Sequence, residues 1–346
     1  MKIAFIEAIF HQQTKSSEFF KELLSKKHEI KVMLDNSYLK GDLLNIDTIN
    51  KENFDVIIFW QFIKVPTQIE KITCKNIIWI PMYDGEIVKK LKYLRNYGYA
   101  SLNLKIISFS SALTNIFKRN GFKNILEVKY FPKPNIDRIE KKESLNILFW
   151  QRTEIINWGI VRKLIDGNNI NKLIIKNNPD VGHVFNILPT EEEFKKYKIE
   201  IINEWLDKEK YNQILKKTDI FIEPRLYEGI GMGFLDAMSC GIPVISPNEP
   251  TMNEYITHMN NGYLYNYNHP KNIDLRNINT VKENLKKYME DNYSKWANSE
   301  EKIYGFIKQD NKSKNRLNLI YTIYGIPLEK IIILEKKIIA LIKKLF

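Results

Sequence analysis

Short apolar, β-rich runs alternate with helical stretches twice along this chain, and that alternation restricts its fold more than any other feature. Residues 2–8, 29–34, 55–62, 76–82, 105–110 and 125–131 read as strands, with helices over 16–27 and 114–120. Strand runs separated by helical patterns predict a parallel sheet flanked by helices. The stretch Phe131-Pro132-Lys133-Pro134-Asn135 breaks the rhythm, and residues 132–144 read as a linker. A second series follows, with strands over 145–150, 172–176, 200–203, 219–223 and 242–246. Helical patterns over 159–166, 191–198, 211–218 and 233–240 separate them. The expected class is α/β, with two Rossmann-like parallel-sheet domains, residues 1–135 and 144–275, facing a cleft, and C-terminal helices over 276–346. Ligands of such sheets sit beyond the carboxyl ends of the strands.

Composition agrees with two folded domains. The chain has 346 residues, 44% of them hydrophobic and 27% charged, which is not the balance of a disordered segment. Lys and Arg exceed Asp and Glu by 53 to 41, a net charge of +12 that suits phosphates or an acidic membrane face. A basic but otherwise ordinary soluble surface explains the same number. Cys74 and Cys240 offer neither a disulfide framework nor zinc spacing, as expected for a reduced cytosol. The first apolar run stops at Glu7, so no signal-peptide layout is read there. No apolar run nears the roughly eighteen residues of a spanning helix.

The most informative stretch runs from Asp219 to Asn266. A strand ends near Glu223, and the turn Gly229-Ile230-Gly231-Met232-Gly233 opens a helix. Glycine lets the backbone approach a ligand, and a helix start offers free N–H groups and partial positive charge to an anion. Glu228 precedes the turn and Asp236, read as lying in the first helical turn, follows it, with seven residues between them. Both carboxylates are thereby able to face one ligand. Each part alone has a plainer explanation: a tight strand-to-helix connection, a solvated loop acid, and an acid favoured by the helix dipole.

Together these residues resemble the signature of retaining GT-B glycosyltransferases, of the group 1 type, in which two acids seven residues apart surround a Glu-Gly-Phe-Gly-like turn. Glu228-Gly229-Ile230-Gly231 stands for that turn, and Ala237-Met238-Ser239-Cys240-Gly241-Ile242-Pro243-Val244-Ile245 resembles the helix end and strand that follow it. Glu254 and Asn261-Gly262 resemble the family's later acid and Asn-Gly turn. The resemblance implies that Glu228 contacts the donor sugar, Asp236 the ribose hydroxyls, and the backbone from Gly229 to Gly233, including Ile230 and Met232, the diphosphate. The second acid is usually Glu, so Asp236 is one methylene shorter. Arg152 matches a cation that holds the leaving diphosphate, a task suited to a planar, permanently charged fork. An ordinary ion pair is the plainer role for Arg152. The partner Lys of the family is absent, with Asn157-Trp158-Gly159 in its place, and Lys163 and Lys176 are candidates to replace it. Pro81-Met82-Tyr83-Asp84-Gly85 resembles the family's His-Asp, which makes Asp84 a candidate for the sugar or acceptor and equally a turn residue. The usual glycine-rich loop after the first strand is here His11-Gln12-Gln13-Thr14-Lys15-Ser16, without glycine.

The function implied is transfer of a sugar, hexosyltransferase-type, from a nucleotide-diphosphate donor to a glycan or lipid-linked acceptor in cell-surface polysaccharide or glycoconjugate synthesis. Retention is implied by the family. No Asp-x-Asp sequence occurs and the five histidines are scattered, so no metal and no separate cofactor are expected. Over 327–346, Leu328, Ile331, Leu334, Ile338, Leu341, Ile342 and Leu345 share one arc of a helical wheel, opposite Lys330, Lys336, Lys337, Lys343 and Lys344. Such a helix suits an anionic bilayer surface, or packing on protein. A cytoplasmic enzyme, peripheral on the inner membrane face if the tail binds lipid, is the expected setting. A dinucleotide enzyme is the rival, with Glu249 as its acid, but position 234 is Phe where that fingerprint needs glycine. A non-catalytic basic protein binding membrane or nucleic acid is the other alternative, and no nucleic-acid motif is present.

Overall fold

The computed structural model describes residues 1–35, 44–84, 95–136, 142–180, 183, 187–204, 206–309, 317, 319–327, 330, 331 and 334. They form two compact units, Met1–Val128 with Asn298–Phe346, and Lys129–Ala297.

The first unit is built on a six-stranded parallel sheet of order β2-β1-β3-β4-β5-β6. Its strands are β1 Lys2–Glu7, β2 Glu29–Leu34, β3 Val56–Gln61, β4 Ile77–Pro81, β5 Lys105–Ser108 and β6 Asn124–Glu127. The central strands β3 (VIIFWQ) and β4 (IIWIP) are nearly continuous apolar runs because helices cover both faces of a parallel sheet. The edge strand β2 leaves Glu29, Lys31 and Val32 exposed. Trp60, Trp79, Phe59 and Phe117 are among the largest buried side chains here. The strand expected over 125–131 is shorter than its apolar run, because edge strand β6 pairs with β5 only from Asn124 to Glu127.

The second unit repeats the plan in the order β12-β11-β10-β7-β8-β9. Here β7 is Leu145–Gln151, β8 Ile170–Asn177, β9 Ile199–Ile202, β10 Ile220–Ile222, β11 Val244–Pro247 and β12 Tyr263–Tyr265. The chain runs outward from β7 to β8 and β9, then returns to β10 on β7's other side. The direction therefore reverses at the β7/β10 pair, and the carboxyl ends of these two strands flank the switch point where α/β sheets take ligands. The expected two-domain α/β class is what the structure has.

A helix of 31 residues, Ile278–Lys308, begins in the second unit and ends in the first. Its last carbonyls lack intrahelical partners. Asn76 Nδ2 donates to Ile307 O at 2.7 Å, and Lys105 Nζ donates to Ile307 O and Gln309 O at 3.2 and 2.7 Å. Lys105 is almost fully buried, and this cap explains how a charge persists there. The basic tail lies mostly outside the described residues; of it, Pro327, Lys330, Ile331 and Leu334 are helical and exposed. No described helix is long and apolar enough to cross a membrane.

Replacing Lys105 with Met keeps the stem but takes the donor from Gln309 O and leaves Ile307 O with Asn76 alone. A loss of about 1–3 kcal/mol is expected in urea denaturation, the cost of unsatisfied buried polar groups. An unchanged midpoint would refute the capping role.

Candidate functional site

The site is built at the carboxyl ends of β7, β8 and β10 within the second unit. After β10 the chain passes through Glu223, Arg225 and Glu228 and enters the helix Met232–Ser239. Gly231 caps that helix at φ 81°, ψ 50°, a left-handed conformation. A Cβ built on Gly231 would lie 1.8 Å from the Phe234 ring, so space demands glycine where the conformation already favours it. Gly233 has neither constraint, since a Cβ there would meet only Phe221 at 4.0 Å. No side chain caps the helix start, which leaves its first N–H groups available to an anion. Buried Thr251 fastens the turn from behind: its Oγ1 donates to Glu228 O and, at 3.2 Å, to Gly229 O. Ile230 is buried beside it and Met232 is half-buried.

Asp236 is the fifth residue of this helix, and no acid lies in the first turn. The first-turn placement expected from the sequence is therefore corrected: the helix starts at Met232, Asp236 lies a turn further in, and the helix-start dipole does not account for it. Its carboxyl group is partly covered, and burial pushes its pKa up to about 6, with Lys208 pulling the other way. Tyr211, whose ring packs on Trp150 at 5.8 Å, has a buried hydroxyl on which the charges of Asp236, Glu223 and Arg152 all act.

Arg152 follows β7 and meets Asp180, which follows β8. Its Nε and Nη2 donate to Asp180 Oδ1 at 2.9 and 2.7 Å, and the Asp180 amide donates to Arg152 O at 2.9 Å. Arg225 Nη2 donates to the other oxygen, Oδ2. Arg225 Nε also lies 3.8 Å from Glu228 Oε1. Burial pushes the Asp180 carboxyl up, but Arg225 and Arg152 outweigh it and hold its pKa below the ordinary value. Glu223 is buried; desolvation and the neighbouring Glu228 raise its pKa well above the ordinary value.

Of the two lysines considered beside Arg152, the structure brings Lys176 close. Lys176 is on β8 opposite Trp150 of β7, with its Nζ 3.4 Å from the Trp150 ring centroid. Burial, with the charge of Arg152, lowers its pKa to about 8. Trp150 also stacks against Arg152 at 4.9 Å. Lys163 is exposed on the helix Trp158–Ile165.

Asp84 is half-buried in the turn after β4 of the first unit, while Gly85 lies outside the described residues. The glycine-free loop forms the short helix Phe10–Thr14 and reverses at Lys15, φ 55°. His11 is buried there, its Nδ1 2.7 Å from Ser16 Oγ. Burial lowers its pKa to about 4, so it is neutral at pH 7. The other family-like positions serve the scaffold. Asn261 accepts from Thr257 N at 2.7 Å and donates to Tyr255 O at 2.9 Å. Glu254 lies 3.7 Å from Lys129. Phe234, in place of the dinucleotide fingerprint's third glycine, is fully buried and packs edge-on to Tyr255.

The sequence alone assigns no role to Asp180, Arg225 or Thr251. Asp180 and Arg225 are 45 positions apart, and no spacing signals that they meet. Thr251 carried no motif.

Residues 191–296 match the family model described as Glycosyl transferases group 1. No curated protein matches the chain in sequence. Among solved structures, sucrose-phosphate synthase from Thermosynechococcus elongatus superposes with a TM-score of 0.63 at 10% identity, covering 88% of this chain and 98% of its own. Anabaena HepE in complex with UDP and glucose gives a TM-score of 0.58 at 12% identity, over 88% of this chain and 100% of its own. The lipopolysaccharide outer core galactosyltransferase WaaB gives 0.52 at 15% identity, over 88% and 99%. The shared architecture is GT-B.

Gly231→Ala is expected to cost at least about 1–2 kcal/mol, the price of the left-handed conformation, while Gly233→Ala should be neutral or slightly stabilising. Equal urea midpoints for the two variants would contradict the constraint placed on Gly231.

Proposed function

We propose that this glycosyltransferase takes a sugar from a nucleoside-diphosphate donor and transfers it to a glycan or lipid-linked acceptor, with retention and without a metal ion. One observation carries the reading: an acid on each side of an uncapped helix start, with an arginine in the same neighbourhood, at the switch point of the second sheet. Cleavage of the anomeric C–O bond develops positive charge on the sugar and negative charge on the departing diphosphate. Preorganised donors and cations that meet such charge lower the barrier. The N–H groups after Gly231 and the guanidinium of Arg152 would receive the diphosphate, with buried Lys176 adding charge. Asp236 would accept hydrogen bonds from the ribose hydroxyls. Glu228 would hold the donor sugar, and the acceptor hydroxyl would attack from the leaving-group face. Asp84 is assigned to the sugar or the acceptor, and the basic tail to an anionic bilayer at the inner face of the membrane, in cell-surface glycan synthesis.

HepE is described in complex with UDP and with UDP-glucose, which puts UDP first in a thermal-shift screen that also includes GDP, ADP and CDP. One of them should raise the melting temperature, and turnover of the matching sugar nucleotide should survive EDTA. Glu228→Ala should lower kcat by about 10²–10³, the scale for removing one preorganised polar group. A chain stabilised by no nucleoside diphosphate would not be this enzyme.

The Asp236 pKa of about 6 has a definite sign. The carboxylate that accepts ribose hydroxyls exists above that pH, so donor affinity should rise between pH 5 and 7. A sugar nucleotide is the right probe for calorimetry because its diester phosphates do not titrate there. Asp236→Asn should flatten the profile; an unaltered slope would remove Asp236 from the nucleotide site.

A further inference from the structure

We propose that Arg225 is a positioning residue for Glu228, itself held by Asp180, so that Arg152, Asp180, Arg225 and Glu228 act as one chain of alternating charge. The inference rests on the role given to Glu228 above. Its own basis is geometric. Asp180 spends one carboxylate oxygen on Arg152 and the other on Arg225. Arg225 is thereby hydrogen-bonded to Asp180 through Nη2, while its Nε faces Glu228 at 3.8 Å, an ion-pair separation beyond hydrogen-bond distance. The hydrogen bond to Asp180 orients this planar fork and the nearby Glu228 charge favours the same orientation, a directionality that a lysine ammonium does not reproduce. The side chains of Arg152, Asp180 and Arg225 are each about one-quarter exposed and Glu228 is 12% exposed, so solvent screens these pairs less than surface pairs.

The chain is needed because two acids crowd the turn. Glu223 is buried, and Glu228 is close enough to act on its charge. Two carboxylates sharing a site raise the pKa of the more buried one, as at Glu223, and leave Glu228 as the acid that a cation must face. Arg225 stands between them in sequence and in contact: its amide donates to Glu223 Oε1 at 3.2 Å while its side chain faces Glu228. Asp180 keeps that side chain from swinging out, and is itself anchored through its amide to Arg152 O.

The test uses the full chain, with the nucleoside diphosphate and sugar nucleotide that the screen selects. Arg225→Ala should lower kcat about 10²-fold while nucleoside diphosphate Kd stays within about threefold, because a lost positioning contact acts on the transition state and not on nucleotide binding. Arg225→Lys should recover part of the loss, and Asp180→Asn should lower kcat about tenfold. The double variant Asp180→Asn/Arg225→Ala should be no worse than Arg225→Ala alone, since coupled residues are not additive. Unchanged kcat in Arg225→Ala, losses that multiply in the double variant, or a Kd raised more than about tenfold would each overturn the proposal, the last by making Arg225 a phosphate ligand. If Arg225→Ala fails to fold, the split between kcat and Kd in Asp180→Asn decides. Glu228→Ala and Arg152→Ala are the controls. If they abolish transfer while Arg225→Ala does not, only this inference fails; if they too leave transfer intact, the reading of the site fails with it.

Discussion

Gly231 takes a left-handed backbone conformation that residues with side chains adopt only at a cost, and the Phe234 ring fills the space its side chain would need. The geometry of the site follows from that single bend. It turns the chain from the end of β10 into the helix Met232–Ser239 without a capping side chain, so bare N–H groups face outward at the switch point. Thr251 ties down the carbonyls of Glu228 and Gly229, which fixes one acid before the bend, while the helix carries Asp236 beyond it. The neighbouring Gly233 is an ordinary helical residue, so the repeated glycines of this turn are not equivalent.

Charge is handled differently in the two units. In the first, buried charges described here close on one another or on backbone: Glu7 meets Ser17 and Lys21 at 2.5 and 2.9 Å, Lys64 meets Asp35, and Lys105 caps a helix end. Such pairing is what burial of ions requires. The second unit also closes one such pair, Asp219 with Lys282 at 2.9 Å, but it gathers further charges at the strand ends, some buried and some partly exposed. Asp180 offsets two arginines, Glu228 crowds Glu223, and Lys176 lies over Trp150 with a lowered pKa. Groups held this way keep chemical capacity that fully closed pairs lack.

Much of the fold was legible because its signals are local. Val56–Gln61 and Ile77–Pro81 are nearly continuous apolar runs, as suits a covered parallel strand, and the helices Glu18–Ser25 and Ser111–Arg119 carry amphipathic spacing. Glu228, the glycines and Arg152 could be named because they sit at strand ends or in a contiguous motif. The short elements were harder. Tyr263–Tyr265 is three residues long and becomes a strand only because β11 lies beside it. The helix Phe10–Thr14 is five residues, below the length at which periodicity registers. The start of the helix at Met232 depends on the backbone of Gly231, and that moved Asp236 out of the first turn.

The amino-acid order alone determined two parallel α/β sheets and a glycine bend flanked by two acids, because apolar periodicity and backbone freedom are properties of neighbouring residues. Only the tertiary structure decided which charges meet. Asp180 reaches Arg225 across 45 positions, and Lys176, not Lys163, comes beside Arg152, because strand order and register set those distances. A sequence carries no record of register until its strands have paired.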